Sequence, residues 1–314
     1  MSDSKVQALA QPDSHATDLA GNGRVVAAHG RHSMVEADDG TRLLCHGRGK
    51  KSDCVVGDRV HWVPAGDEGV IDRVAERRNL LFRQDEWKTK SFAANIDLLL
   101  VLVAVEPMYA ETQLTRALIA AEHAGIPTLI VLNKTDLPTL DAARARLAPY
   151  AAMGVPVHEM SLKARGTDAI AQLMPLLAGR ATLVLGPSGM GKSTLINLMI
   201  PAAAAEVGEI SKALNAGRHT TTSTTWYWLD DARRTALIDS PGFQEFGLRQ
   251  LKPTDLAQRM ADIRLHAQSC RFYNCSHLHE PGCGVREALA RGEISPSRYR
   301  IYTELHAELS TTKW

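Results

Sequence analysis

The residues Leu183-Val184-Leu185-Gly186-Pro187-Ser188-Gly189-Met190-Gly191-Lys192-Ser193-Thr194-Leu195-Ile196-Asn197-Leu198 decide the fold. An apolar strand runs into G-x-x-x-x-G-K-S and out into a helix, the context that a phosphate loop requires. The glycines let consecutive backbone N–H groups turn inward on phosphates without Cβ clashes, and the helix N-terminus adds positive potential. In this reading residues 186–194 cradle the phosphates, Lys192 reaches the β- and γ-phosphates, and the Ser193 hydroxyl ligates Mg²⁺.

Around this loop, 96–105, 128–132, 181–185 and 235–238 read as strands buried on both faces, with 226–229 as a further candidate. Helical stretches lie at 112–124, 140–151, 167–178 and 192–200. Alternating strands and helices predict a parallel α/β sheet covered on both faces, which binds ligands at the carboxyl ends of its strands. Asn133-Lys134-Thr135-Asp136 stands at one such end. The Asp136 carboxylate can accept two hydrogen bonds from N1–H and the 2-amino group of guanine. Adenine offers neither donor and is rejected by the unpaired charge it leaves. Asn133 supports the loop and meets the purine edge, while the Lys134 stem lies over the base. Ser161-Leu162-Lys163 follows another short strand and is placed to add a backbone contact to the guanine oxygen.

Two more loops complete the expected site. Asp239-Ser240-Pro241-Gly242 follows a strand, so Asp239 can hold Mg²⁺ through water and the Gly242 N–H can sense the γ-phosphate. Gly217-Arg218-His219-Thr220-Thr221-Thr222-Ser223-Thr224-Thr225 reads as a flexible loop; Thr220 and Thr221 are candidates for the second Mg²⁺ hydroxyl, and the choice stays open. The order is anomalous. In Ras-like GTPases the phosphate loop comes first, whereas here the guanine motifs at 133–136 and 161–163 precede it. The chain is therefore read as a circular permutation, feasible because domain termini commonly lie close together. Its consequence is mechanical: the loop after Asp239 leads straight into the C-terminal unit.

The flanks differ in texture. Residues 21–82 hold about five short strands with glycine- or Asp-containing turns, predicting a small β-barrel of OB or SH3-like type. Residues 42–90 carry eleven Lys/Arg against eight Asp/Glu, and His46-Gly47-Arg48-Gly49-Lys50-Lys51 is a basic loop, either solvated or in contact with RNA. Residues 251–314 read as a polar helix over 253–267, a cysteine cluster, and helices around 284–291 and 296–309. The cluster, Cys270-x₄-Cys275-x-His277-x₅-Cys283, matches a closed tetrahedral zinc site that would stabilise a unit too small for a large core; His279 competes with His277 as the fourth ligand. Cys45 and Cys54 read as ordinary thiols. The 314 residues have a net charge of +1, so a nucleic-acid partner must be argued from local patches rather than from the total. The longest apolar run, 98–105, is too short to span a membrane. The first twenty residues read as a flexible tail without an export signal, which predicts a cytoplasmic protein.

Together, the permuted order, Ala93-Ala94-Asn95-Ile96-Asp97, Gly217-Arg218-His219-Thr220-Thr221-Thr222, Asp239-Ser240-Pro241-Gly242-Phe243 and the Cys/Cys/His/Cys spacing resemble the RsgA (YjeQ/YloQ) family of circularly permuted GTPases. The resemblance covers about 21–309. It implies a multi-domain α/β protein: a tail at 1–20, an OB-fold RNA-binding domain with linker at 21–90, a permuted GTPase domain at 91–250 and a helical zinc-binding domain at 251–314. It favours His277 over His279. It further implies binding to the 30S subunit and its 16S rRNA, slow GTP hydrolysis to GDP that the subunit stimulates, and a monomer. The alternative is a GTPase switch acting on a non-ribosomal protein. Phe243 stands where a water-orienting glutamine would be expected, so slow intrinsic turnover is predicted and His219 becomes the candidate catalytic residue.

Overall fold

The structure, a computed structural model, describes residues 21–49, 54–84, 89–203, 224–240, 246, 248 and 250–311. Among the described residues the first elements are five strands: β1 (Gly21–His29), β2 (His32–Ala37), β3 (Arg42–Gly47), β4 (Arg59–Ala65) and β5 (Glu68–Val74). They close in the order β1-β2-β3-β5-β4-β1, with β3 and β5 parallel and the other pairs antiparallel. That closure is the OB type of barrel. Val25, Val35, Cys45, Val60, Trp62 and Ile71 fill it. Burial pushes the Cys45 thiol up to about 12, which keeps it an unreactive core residue.

A hairpin, β6 (Leu80–Gln84) and β7 (Thr89–Ala94), follows the barrel and was not among the expected elements. The α/β layer then runs β8 (Leu98–Ala104), α1 (Glu111–His123), β9 (Thr128–Asn133), α2 (Leu140–Ala152), β10 (Val157–Glu159), α3 (Gly166–Leu177), β11 (Ala181–Leu185), α4 (Lys192–Met199), β12 (Thr225–Trp228) and β13 (Ala236–Asp239). Every residue of β8 and β11 is buried, as expected for parallel strands covered on both faces. The sheet order is β10-β9-β8-β11-β13-β12, parallel except for β12 against β13. The loops that follow β9, β11 and β13 therefore meet at one edge although the chain visits them in permuted order.

Barrel and sheet are one surface. Ala27 of β1 and Asp239 of β13 both pair with Thr225, so β12 continues the nucleotide sheet into the barrel. The Arg24 guanidinium lies 4.3 Å from the Trp226 ring centre, and Trp228 Nε1 donates to Glu36 at 2.6 Å. Thr225, read from sequence as the end of a loop, is thus a buried strand residue. A second tie runs through Asn95, whose Nδ2 donates to Gly57 O at 3.0 Å. Gly57 sits at φ +93, where an added Cβ would fall 2.0 Å from Ala94 O.

Among the described residues the last elements are four helices: α5 (Pro253–Arg259), α6 (Ala261–Ala267), α7 (Gly284–Ala290) and α8 (Pro296–Thr311). The single helix expected over 253–267 is broken at Met260, which is extended and buried. Arg264 Nη1 donates to the Gln258 carbonyl at 2.8 Å and so satisfies one acceptor freed by the break. These helices dock on α1 through Arg264 to Glu122 at 2.6 Å, Arg116 to Glu308, and Arg298 to Thr115 Oγ1 at 2.6 Å. Arg298 is 2% exposed, pairs with Asp262 at 2.7 and 3.0 Å, and stacks 5.1 Å from the Tyr150 ring centre.

Removing one partner of a buried pair strands the other charge, which costs about 3–5 kcal/mol. Arg298→Ala is therefore expected to lower stability in urea denaturation by about 3 kcal/mol, and a loss below about 1 kcal/mol would remove Arg298, which joins Asp262 of α6 to Thr115 and Tyr150 of the nucleotide domain, as the lock at this interface.

Candidate functional site

The turn from β11 into α4 takes its shape from close approaches. An added Cβ at Gly186 would lie 2.8 Å from Leu102 O, and one at Gly191 would lie 2.3 Å from Asn133 Nδ2. Gly189 and Gly191 also hold φ of +82 and +103, in the left-handed region that favours glycine. Gly191 caps α4, so the helix N-terminus opens at the loop. The N–H groups there suit an anion.

Asn133 is 3% exposed and uses both ends of its amide. Its Nδ2 donates to Met190 O at 2.8 Å, and its Oδ1 accepts from Leu162 N at 3.0 Å. One side chain thereby joins the phosphate loop to the serine loop. Lys134, at φ +62, donates from Nζ to Glu106 O at 2.6 Å. The Ser161 hydroxyl donates to Asp136, and this bond holds the Asp136 carboxyl below the usual carboxylate range. The carboxylate is therefore an ionised acceptor at neutral pH. A cavity of about 590 Å³ opens between these groups, with Asn133, Lys134, Asp136, Lys163, Gly191 and Thr194 in its wall. Its size and polar rim suit a nucleotide.

Lys192 Nζ donates to Asp239 Oδ1 at 2.5 Å, both side chains being largely buried. The two charged residues expected to face phosphate and cation thus face each other. His219, Thr220, Thr221, Gly242 and Phe243 lie outside the described residues.

Among the C-terminal helices, Cys270, Cys275, His277 and Cys283 bring their donor atoms within 4.8 Å of one another. Cys270 Sγ stands 3.3 Å from His277 Nδ1 and 3.9 Å from Cys283 Sγ, and Cys283 Sγ stands 3.6 Å from the same nitrogen. A tetrahedral ion with bonds of ~2.3 Å to sulfur and ~2.0 Å to nitrogen sets donor separations of about 3.5–3.8 Å. Burial pushes the Cys275 thiol up to about 12 and raises Cys283 as well, so these thiols ionise only if a cation supports the thiolate. The four residues fit a metal ion. His277 reaches inward from a φ of +61, with its carbonyl accepting from Tyr299 at 2.8 Å, while His279 is exposed. Sequence reasoning missed Glu106, which no motif marks. Its carbonyl positions Lys134, and its carboxylate accepts from Thr139 Oγ1 at 2.7 Å.

The family model for RsgA GTPase matches residues 74–249. A Variovorax paradoxus (strain S110) protein named small ribosomal subunit biogenesis GTPase RsgA is 59% identical over 298 residues, covering 93% of this chain and 94% of its own. The crystal structure of YjeQ from Thermotoga maritima superposes with a TM-score of 0.69 at 31% identity, covering 94% of this chain and all of its own. That of YloQ, described as a circularly permuted GTPase, gives 0.67 at 26%, covering 96% of this chain and all of its own.

Asn133→Ala would strand the Met190 carbonyl and the Leu162 amide in a buried site, at about 1–3 kcal/mol for each group. Nucleotide affinity in equilibrium titration is expected to fall at least tenfold, with a lower unfolding midpoint in the absence of nucleotide. Unchanged affinity would show that the two loops hold their places without the amide.

Proposed function

The chain belongs to the RsgA GTPase family, and from that premise we propose that it binds the small ribosomal subunit, assists its late maturation, and hydrolyses GTP slowly alone and faster on the subunit. That the chain is a GTPase follows from the family itself. The single observation that carries the ribosomal reading is the extent of the likeness. Identity of 59% runs through 93% of the chain, so barrel and C-terminal unit are shared along with the nucleotide domain. A switch for an unrelated protein partner would need neither outer unit.

In this reading residues 186–194 hold the phosphates, and Asp136, Asn133, Lys134, Thr135 and 161–163 read guanine. Ser193 and Asp239, with Thr220 or Thr221, hold Mg²⁺, which neutralises charge on the phosphate oxygens. Gly242 senses the γ-phosphate. Cys270, Cys275, His277 and Cys283 hold one structural zinc, the ion that closed three-thiolate, one-imidazole sites take. The protein acts as a cytoplasmic monomer, and no helix among the described residues is long and apolar enough to cross a membrane. The outer segments are weakly basic, with eleven Lys/Arg against eight Asp/Glu over 42–90 and nine against seven over 251–314. They grip 16S rRNA around a near-neutral middle.

Cosedimentation with separated small and large subunits tests the proposal. The expected result is small-subunit preference, tighter with a non-hydrolysable GTP analogue than with GDP, and weakening steeply with salt. Equal binding to both subunits, or none, overturns it in favour of a non-ribosomal partner.

Phe243 cannot orient water by hydrogen bonding, so His219 takes that role on the subunit. His219→Ala is expected to lose stimulated turnover while keeping GTP affinity; equal stimulation in the two proteins removes His219 from the reaction.

A further inference from the structure

The turn between the first two cysteines of the metal cluster presents an unusual surface. Arg271, Phe272, Tyr273 and Asn274 are consecutive and all exposed, Phe272 by 40% and Tyr273 completely. Large aromatic side chains are normally drawn inward, so two adjacent ones in solvent mark a contact surface. The turn is rigid at both ends. Cys270 and Cys275 belong to the metal cluster, Arg271 N donates to Gly282 O at 2.9 Å, and Cys275 N closes the turn on Phe272 O at 3.2 Å.

Its chemistry selects the occupant. The Arg271 guanidinium stands 5.5 Å from the Phe272 ring centre and makes no ion pair among the described residues. No Asp or Glu occurs between Asp262 and Glu280. Glu280 is itself consumed, its carboxylate accepting from Ser276 N and Oγ at 2.8 and 2.6 Å and from His279 N at 3.2 Å. The turn is therefore cationic and aromatic, with no carboxylate in its own stretch of sequence and Arg271 unpaired among the described residues. Two π-faces beside a guanidinium suit bases that are free to unstack, whereas a paired duplex offers its phosphates and hides its base faces. A protein partner needs an apolar pocket for these rings and gains little from the cation.

We propose that the 271–274 turn is a stacking platform for unpaired RNA bases, with Phe272 and Tyr273 each receiving one base and Arg271 the adjoining phosphate or base plane. This rests on the ribosomal reading above and specifies which kind of rRNA element the C-terminal unit takes, a single-stranded loop or bulge.

The test uses the full-length metal-loaded protein, wild type, Tyr273→Ala and Phe272→Leu/Tyr273→Leu, with metal content and basal GTP turnover measured on each. Affinities are compared for small subunits, for protein-free 16S rRNA, and for a 12-nucleotide single strand and its duplex. Each lost stacking contact is expected to weaken single-strand and subunit binding about tenfold, with duplex binding, metal content and basal turnover unchanged. Tyr273 is wholly exposed, so its single variant tests the proposal even if the double variant loses metal. Wild-type binding to subunits with equal binding by Tyr273→Ala overturns the platform and leaves the ribosomal reading standing. Absence of wild-type subunit binding overturns the ribosomal reading instead. Equal losses on single strand and duplex would reduce the turn to a backbone contact, and loss on subunits alone, with 16S rRNA binding intact, would assign it to a ribosomal protein; either result rejects base stacking.

Discussion

The nucleotide edge depends on one buried amide. Asn133 donates to the phosphate loop at Met190 and accepts from the serine loop at Leu162, so three segments of chain have a single geometry in which both bonds close. Gly191 is tied to the same requirement, since a Cβ there would occupy the space of the amide nitrogen. This explains how the site tolerates permutation. What fixes the guanine motif relative to the phosphate loop is a side-chain bridge and the β8–β9 and β8–β11 pairings, none of which depends on which segment the chain visits first.

Permutation does change where force can travel. The chain beyond Ser240 is next described at Phe246, which is held from two sides. Its ring meets Phe92 of the β6–β7 hairpin edge-on at 6.0 Å, and its backbone bridges to Arg83. Its carbonyl accepts from Arg116 of α1 at 3.4 Å, and Arg116 also pairs with Glu308 of α8. Phe246 thus touches the β6–β7 hairpin on one side and, through Arg116, is linked to the last helix on the other.

Much of this was legible in the sequence because its signals are local. Uninterrupted apolar runs gave the parallel strands, and the phosphate and guanine motifs stood at strand ends where a doubly covered sheet binds ligands. The illegible parts are set by contacts between distant residues. The barrel type follows from the parallel β3–β5 pairing, which five alternating strands do not encode. The fusion of barrel and sheet turns on Ala27 meeting Thr225, almost two hundred positions away. The break at Met260 arises because a buried apolar side chain and an Arg264 cap outweigh helical continuity, a competition invisible in a polar stretch. The choice of His277 over His279 depends on a left-handed backbone that turns one ring inward, and spacing alone left both open.

The Lys192–Asp239 pair sets a condition on the site as a whole. Each side chain is largely buried, so neither charge is well hydrated, and each satisfies the other at 2.5 Å. In the proposed site, a nucleotide arriving alone would draw Lys192 to its phosphates and leave the Asp239 carboxylate beside more negative oxygens, a like-charge arrangement in a poorly solvated place. A cation arriving alone would take Asp239 and strand the ammonium. The pair can be exchanged without an uncompensated charge only when Lys192 receives a phosphate oxygen and Asp239 receives a cation together. The same two residues terminate β13 and open α4, so in the proposed site that exchange acts on the end of this strand and on the start of this helix. On the proposed function, nucleotide occupancy would thereby become a change of partner for Lys192 and Asp239, where β13 and the phosphate loop meet.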